Sequence, residues 1–345
     1  MKNTILILFG IIMIASCSNP AEIVTTNELV ERNGLSYAPF ETTPFTGKYE
    51  IFYDSGQLNI KANYKDGKNE GTEEKYWESG QLFRITNFKK GIKDGPYEEY
   101  FEDGNFWEKG TYLNGNLEGL YERFYENGQL KDKENYKEGQ LNGLIEGFQE
   151  SGKHRIKATF KNGKKEGIEE FFYESGEVRW QASYKAGLLN GVFVTFKEDG
   201  KLDERKTYGD DNQLTLYENF YENGQLKDKE NYKNSQKNGP FEWFHENGQL
   251  SSKGNYKDGI EDGLVIGYYN DGQLEYSEVY KNGVQNGPFE WFHANGKISA
   301  RGNFRDGERD GLLEAFSENG EILMKKTFLN GEVVSCEYGC NLRTD

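Results

Sequence analysis

A unit of 24 residues occurs twelve times along this chain, and this repetition constrains the fold more than any other feature of the sequence. Glycines mark the period without one insertion, from Gly56 to Gly320. Two further glycine columns keep the same spacing in most units. Such a period predicts a repeat array over residues 47–334, in which each unit buries apolar side chains against its neighbours.

Each repeat is predicted to contain a strand, a turn, a second strand and a second turn. The residue before each marking glycine is Asn, Asp or Ser, as in Asn127-Gly128, and such a pair is typical of hairpin turns. In the first repeat the strands are predicted over residues 49–53 and 58–65. The pattern predicts an all-β fold, an elongated, twisted antiparallel sheet of twelve stacked hairpins.

Aromatic side chains are predicted to supply much of the buried surface. Phe, Tyr and Trp make up 15% of the chain, and the columns that begin at Phe52 and Tyr64 are aromatic in all twelve units. Alternation places Leu58 on the same face as Tyr64. Tyr49 and Phe52 are three residues apart and should face opposite sides. Either a β-bulge or burial on both faces would reconcile them, and both alternatives stay open.

The composition excludes several classes of protein. The formal net charge of −16 argues against a nucleic-acid-binding protein, because phosphates require a basic surface. A single apolar run excludes a polytopic membrane protein. The high aromatic content argues against a disordered chain.

The first residues have the pattern of a secretory signal. Lys2 precedes a ten-residue apolar stretch, residues 5–14, which is too short to span a bilayer as a helix. Residues 14–17, Ile-Ala-Ser-Cys, resemble the lipobox of bacterial lipoproteins. The resemblance implies that residues 1–16 are a signal peptide and that Cys17 becomes lipidated. An ordinary secretory signal that contains a cysteine is the alternative.

This leader predicts a location in the bacterial cell envelope, at the outer membrane or the cell surface. The lipid on Cys17 would provide the contact with the membrane. Residues 17–46 contain three prolines and are predicted to be a tether. Anionic headgroups repel the negative body of the protein, so it is expected to stand off the bilayer.

Two tryptophans and two histidines are candidates for binding a partner. Trp243 and Trp291 occupy equivalent places in two Pro-Phe-Glu-Trp-Phe-His segments, and His245 and His293 end those segments. An exposed aromatic patch there would suit a protein partner or a sugar. Packing of both tryptophans against neighbouring hairpins is the alternative. One repeat separates the two histidines, which is too far for a shared zinc ion.

No pattern in the sequence predicts chemistry. The three histidines form no cluster with cysteines and carboxylates, and no spacing suggests a nucleophile with its base. The chain is therefore predicted to be no enzyme, with no catalytic residue, no cofactor and no metal site. Most repeats begin with a glycine, which is Gly47 in the first repeat and is called the opening glycine here. Glu occupies the third position after the opening glycine in ten repeats, beginning at Glu50. This column would bind cations or a basic partner, or it forms a solvated outer face.

The C-terminal residues 335–345 are predicted to cap the last repeat. Cys336 and Cys340 could form a disulfide in an oxidising envelope, and free thiols or a weak metal pair are the alternatives. The repeat pattern decays once, where Asp211, Thr215 and Ser235 replace expected glycines. A softer joint is therefore predicted near residues 209–215.

The repeat resembles the MORN-repeat variant. The resemblance rests on units such as residues 119–130, Gly-Leu-Tyr-Glu-Arg-Phe-Tyr-Glu-Asn-Gly-Gln-Leu, which close with Asn-Tyr-Lys-Glu-Gly at 135–139. It implies an all-β repeat scaffold that associates with proteins or membranes. Relatives of this variant are often named antitoxins of the YwqK family, although a lipoprotein signal departs from a cytoplasmic antitoxin.

Three functions follow as hypotheses. The first is a lipid-anchored envelope scaffold that binds another protein or a surface polymer over several repeats, so that affinity accumulates by avidity. The alternative is an antitoxin or immunity protein whose acidic surface masks a toxin. An envelope enzyme is the weakest of the three, because no polar cluster breaks the repeat.

Overall fold

The computed structural model describes residues 23–24 and 29–340. These residues form strands and turns and contain no helix, hence none long and apolar enough to cross a membrane. The predicted signal peptide, residues 1–16, and Cys17 lie outside the described residues.

The chain divides into two compact parts. The N-terminal part contains the residues up to Leu130 together with Tyr136–Gly139, and the C-terminal part contains Lys131–Asn135 and the residues from Gln140 onward. The strands of the N-terminal part are β1 (Ile23–Val24), β2 (Val30–Arg32), β3 (Leu35–Tyr37), β4 (Gly47–Phe52), β5 (Leu58–Lys65), β6 (Lys68–Asn69), β7 (Gly71–Tyr76), β8 (Leu82–Lys89), β9 (Ile92–Tyr100), β10 (Phe106–Leu113), β11 (Asn116–Leu117) and β12 (Gly119–Phe124). Strand β13 (Leu130–Lys137) lies where the parts divide.

The strands of the C-terminal part are β14 (Gln140–Leu141), β15 (Gly143–Phe148), β16 (His154–Lys161), β17 (Lys164–Phe172), β18 (Val178–Lys185), β19 (Leu188–Phe196), β20 (Leu202–Tyr208), β21 (Leu214–Phe220), β22 (Leu226–Lys233), β23 (Gln236–Phe244), β24 (Leu250–Lys257), β25 (Ile260–Glu261), β26 (Gly263–Tyr268), β27 (Leu274–Lys281), β28 (Val284–Phe292), β29 (Ile298–Arg305), β30 (Glu308–Arg309), β31 (Gly311–Phe316), β32 (Ile322–Leu329) and β33 (Glu332–Tyr338).

Consecutive antiparallel hairpins make up each part, which confirms the predicted all-β fold class. In the first hairpin Gly47 pairs with Tyr64 and Tyr49 pairs with Ala62. The same register recurs in β28 and β29, where Gly287 pairs with Phe304. Strand β1 is an exception, because it pairs with β4 in parallel.

Two kinds of turn alternate along the chain. At the marking glycine, Gly56 has a φ of 84° and its N–H donates to the carbonyl of Tyr53, which is a type I turn closed by a glycine bulge. The other turn has two residues, such as Asp66 at 51° and Gly67 at 75°. Positive φ at both positions defines a type I′ turn, whose twist matches that of the flanking strands. Glycine in these columns therefore fixes the register of every hairpin.

A β-bulge lies in the second strand of the hairpin. Ile51 pairs with Ile60 but Phe52 pairs with Leu58, so one extra residue, Asn59, separates the pairs on β5. The first strand stays regular, so Tyr49 and Phe52 do face opposite sides. The bulge moves Leu58 to the side of Phe52, which corrects the expectation that it shares a face with Tyr64.

Each hairpin therefore has two different faces. Face 1 carries the columns of Tyr49, Ala62 and Tyr64, which pack together in the first repeat. Face 2 carries the columns of Glu50, Phe52 and Lys61. The same face 1 columns form two buried clusters in the C-terminal part, which contain Phe241, Tyr256 and Val265, and Phe289, Ala300, Leu313 and Phe328.

The predicted tether over residues 17–46 is too long. Strands β2 and β3 pair with each other, and the buried ring of Phe45 packs with Tyr49 and Ala62. The N–H of Ser36 also donates to the carbonyl of Gly67. Residues 29–46 thus fold against the first repeat, where Phe45 covers the apolar side chains of Tyr49 and Ala62.

The C-terminal residues continue the sheet beyond the predicted array. Strand β33 pairs with β32, so the predicted cap begins inside a strand. The Sγ atoms of Cys336 and Cys340 are bonded, with their Cα atoms 5.7 Å apart.

The turns around residue 211 depart from the others. Elsewhere in the C-terminal part the glycine of the two-residue turn donates to a carbonyl 22 residues earlier, as Gly187 does to Lys165 and Gly259 does to Lys237. Among the described residues no such bond joins Asp211 or Ser235 to the preceding repeat. A wider turn at 209–213 replaces the two-residue turn, with Asn212 at a φ of 61°.

We expect backbone amides of residues 209–215 to exchange with deuterium faster than those of equivalent turns, because the backbone hydrogen bond from this turn to the preceding turn is missing. Hydrogen exchange read by mass spectrometry on the full-length protein measures this. Residues 257–263, which keep the glycine and its bond, are the matched control. Equal exchange in the two segments would contradict the softer joint.

Candidate functional site

Most acids of the predicted column on face 2 form ion pairs with a column of basic residues. Lys61 Nζ lies 3.0 Å from a carboxylate oxygen of Glu74, and Lys109 Nζ lies 3.1 Å from Glu122. These residues are paired directly across neighbouring strands. Exposed pairs of this kind contribute about 0.2–1 kcal/mol each. The column therefore behaves mainly as a set of cross-strand pairs, and no group of acidic, His or Cys residues in the described ranges could hold a metal ion.

Face 2 also exposes a column of aliphatic residues that sequence analysis missed. The residue after the opening glycine is 46% exposed at Leu144, 53% at Ile168 and 50% at Leu264. Leu144 pairs across the strands with Thr159, and Ile168 pairs with Ser183, and these partners are too short to cover them. Reading the faces required the register, which the period alone does not give.

Trp243 and Trp291 line one open cleft on face 1, of about 380 Å³. Both indoles are half-buried, and they pack on Phe241 and Phe289 with ring centroids 5.0 and 4.9 Å apart. The predicted alternatives are thus both partly present, because each ring packs within the sheet and still borders the cleft. The structure brings these two candidates together.

Small residues make the floor of the cleft. Five residues are paired in a row across consecutive strands, in the order Trp243, Ser252, Gly267, Tyr276 and Trp291. Ser252 and Gly267 are the small residues of this row. A Cβ atom on Gly267 would lie 2.1 Å from the Tyr276 ring, so glycine is required for that ring to lie against the backbone. The cleft exists because two small residues separate large ones.

A buried carboxylate lies in the wall of the cleft. Glu278 is 9% exposed and accepts hydrogen bonds from Trp291 Nε1 at 2.7 Å, Tyr280 Oη at 2.8 Å and Gln285 Nε2 at 2.9 Å. Burial, and then the charge of Glu278, raise the pKa of Glu261, which also lines the cleft. Burial and the bond to Glu278 raise the pKa of Tyr280.

The cleft is acidic and aromatic, and its lining includes no Lys or Arg. Such a surface suits a cationic group, which ring faces and carboxylates both attract. Sequence analysis missed Glu261, Glu278 and Tyr276. The available signal was that Glu278 stands in the column of Ala62, where most repeats have a small residue or a residue with a charged partner.

His245 and His293 form hydrogen bonds inside the protein. The Nε2 atom of His245 lies 2.8 Å from the carbonyl oxygen of Tyr268, and that of His293 lies 2.9 Å from Phe316 O. Tyr173, 72 residues before His245, donates its hydroxyl to the equivalent carbonyl of Phe196 at 2.7 Å. The histidines therefore replace a tyrosine that links one repeat to the next. Their binding of a partner stays a prediction.

The comparison with protein families finds the family described as MORN repeat variant. Its model matches nine segments that together make up more than half of the chain, residues 45–66, 69–90, 93–114, 117–138, 165–186, 215–234, 237–258, 261–282 and 285–306. The chain therefore belongs to this family. The comparison with curated proteins finds no match.

Solved structures with a weak likeness are parts of much longer chains. The crystal structure of TcdB2-TccC3-TEV is 10% identical, with 87% of this chain and 20% of that chain covered at a TM-score of 0.16. The crystal structure of TcdB2-TccC3-Cdc42 is 10% identical, with 84% of this chain and 22% of that chain covered at a TM-score of 0.15. The structure of the Tc holotoxin pore of Photorhabdus luminescens, with a TccC3 mutation, is 11% identical, with 83% of this chain and 23% of that chain covered at a TM-score of 0.15. This chain spans about a fifth of those chains, and such TM-scores carry no argument.

We expect His245→Phe to lower the free energy of unfolding by about 1 kcal/mol, because the carbonyl of Tyr268 loses its donor. His245→Tyr is the matched control and should retain stability close to that of the original protein, since tyrosine fills this position in other repeats. Urea unfolding followed by circular dichroism measures both variants. Equal losses in the two variants would contradict a linking role.

Proposed function

We propose that this chain, which belongs to the MORN repeat variant family, is a non-catalytic, lipid-anchored scaffold of the bacterial cell envelope that binds a partner protein. The observation that carries the proposal is the open cleft between Trp243 and Trp291. Tryptophan is enriched at the centres of protein interfaces, where it contributes more to the binding free energy than most residues do. A cleft with two such rings at its borders is the surface best suited to receive a side chain from another protein.

The repeat architecture supports a scaffold. Equivalent positions of successive hairpins lie two strands apart, about 10 Å, so face 2 presents its exposed aliphatic residues at regular spacing. Leu144 and Ile168 are two members of that column. Apolar residues aligned in this way favour an extended contact with a partner, because several weak contacts made at once give high avidity.

The leader sequence supports the anchored location. Residues 14–17 carry the lipobox pattern, and residues 29–46 fold directly against the first repeat. The lipid on Cys17 would then lie a few residues before Ile23–Val24, which pairs with β4 of the first repeat. The antitoxin alternative stays a prediction, since no contact in the described residues favours a toxin over another partner.

We expect the double variant Trp243→Ala, Trp291→Ala to lose a partner that the original protein captures when intact cells are crosslinked. The loss of both rings removes the walls of the cleft while the strands that carry them remain paired. Mass spectrometry of the crosslinked species identifies the partner, and thermal unfolding checks that the variant remains folded.

Trp107→Ala is the control, because Trp107 is 42% exposed and lies far along the chain from the cleft. Its set of captured proteins should equal that of the original protein. A folded double variant with an unchanged set would overturn the proposal, and capture of a toxin would favour the antitoxin alternative.

We expect Cys17→Ala to move the protein from the membrane fraction to the soluble fraction of cells, because the lipid can no longer be attached. Fractionation followed by mass measurement of the mature N-terminus checks this. Ser18→Ala, which leaves the thiol in place, is the matched control. A membrane fraction that is equally large for Cys17→Ala would contradict the lipid anchor.

A further inference from the structure

We propose that the cleft between Trp243 and Trp291 binds an alkylammonium group, the side chain of a lysine on the partner protein. The inference deepens the proposed function, on which it rests for the existence of a partner. It names the chemistry that the cleft recognises. Three observations carry it: an acid with no cation, a complete version of the same site two repeats earlier, and the composition of the cleft wall.

Among the described residues, buried acids have a basic partner, with one exception. Seven acidic side chains are buried among the described residues. Six of them form an ion pair, namely Glu99 with Arg84, Asp132 with Arg155, Glu169 with Lys165, Glu218 with Arg205, Glu230 with Lys237, and Asp310 with Arg305. Glu278 accepts hydrogen bonds from neutral groups alone in the described part of the chain. A buried carboxylate without a cation is costly, so a cation from outside would bind favourably.

A complete version of the site lies two repeats earlier. Glu230 is buried, accepts a hydrogen bond from Tyr232 Oη at 3.1 Å, and lies 2.7 Å from Lys237 Nζ. That ammonium group also lies 5.1 Å from the centroid of the Tyr256 ring. The protein thus provides its own example of a lysine held between a buried carboxylate and an aromatic face.

The equivalent site at Glu278 keeps the frame and lacks the lysine. Glu278 and Tyr280 correspond to Glu230 and Tyr232 at a distance of 48 residues, and Gln285 stands where Lys237 stands. Gln285 makes the same contact through its amide, at 2.9 Å, but brings no charge. The negative charge of Glu278 is therefore available to a cation that enters the cleft.

The wall of the cleft adds to this preference. Glu261 occupies the repeat position that holds Lys165 and Lys237 in other units, so a negative charge replaces a positive one. Trp243, Tyr276 and Trp291 line the cleft with aromatic rings, and such rings attract an ammonium group when it is partly desolvated. A volume of about 380 Å³ is at the small end for a ligand site and suits one side chain with its neighbouring backbone.

The test uses the full-length protein and a short Gly-Ser peptide with one central lysine. Isothermal titration calorimetry measures affinity and stoichiometry, and tryptophan fluorescence reports contact with the two indoles. We expect one peptide per chain, and at least tenfold weaker binding when the lysine is acetylated or replaced by norleucine. Spermidine is the second arm: tighter binding of spermidine than of the peptide would overturn the assignment to a protein lysine.

Variants of the two equivalent sites make the test specific. Gln285→Lys should supply the missing cation from within, weaken peptide binding at least tenfold, and raise the melting temperature. Glu278→Gln should weaken binding to a similar extent without adding a cation. Lys237→Gln, the matched change in the complete site, should let a second peptide bind.

Peptide binding that is absent from the original protein, or unchanged in Gln285→Lys and Glu278→Gln, would overturn the inference. An unchanged stoichiometry in Lys237→Gln would contradict the equivalence of the sites at Glu230 and Glu278. These measurements need no partner, so their failure is distinguishable from failure of the proposed function. If the original protein and Gln285→Lys capture the same partner in cells equally well, the proposed scaffold function stands. The inference that a lysine of the partner binds in the cleft is then excluded.

Discussion

Positive φ at two turns in almost every repeat is the constraint on which the rest of this structure depends. The type I turn ends at a glycine such as Gly56, and the type I′ turn places both Asp66 and Gly67 in the left-handed region. Turn type sets the register of a hairpin, and a slip of one residue would move every side chain to the other face. The columns of face 1 and face 2, and the cleft between Trp243 and Trp291, exist only because that register is kept.

Charged groups occupy part of the buried surface, and this has a structural consequence. A sheet with few aliphatic residues buries acids such as Glu169 and Glu230 beside rings, and each acid requires a nearby cation to offset its desolvation. The cation comes from the same strand, as Lys165 does for Glu169, or from another strand, as Lys237 does for Glu230. The charge of the buried acids is therefore balanced by nearby cations, and Glu278 is the exception among the described residues.

Much of the fold could be predicted from the sequence, because the period, the turn residues and the aromatic columns can be read along the chain without knowing which residues pair. The β-bulge at Asn59 could not be, since it depends on how two strands pair. The folding of residues 29–46 against the first repeat was missed because the prolines obscured the role of Phe45. The site was predicted in part: Trp243 and Trp291 border one cleft, but the acid between them is visible only when cross-strand neighbours are known.

The bonds between successive turns also bear on how such a gene can change its length. The N–H of Gly259 donates to the carbonyl of Lys237, and that of Gly283 donates to Glu261 in the same way, so junctions that keep this glycine are chemically interchangeable. Recombination that adds or removes a whole 24-residue block leaves every remaining junction intact. The identical stretches at residues 125–137 and 221–233 are the trace expected of such duplication. Natural alleles that differ by entire blocks would encode folded proteins of different reach.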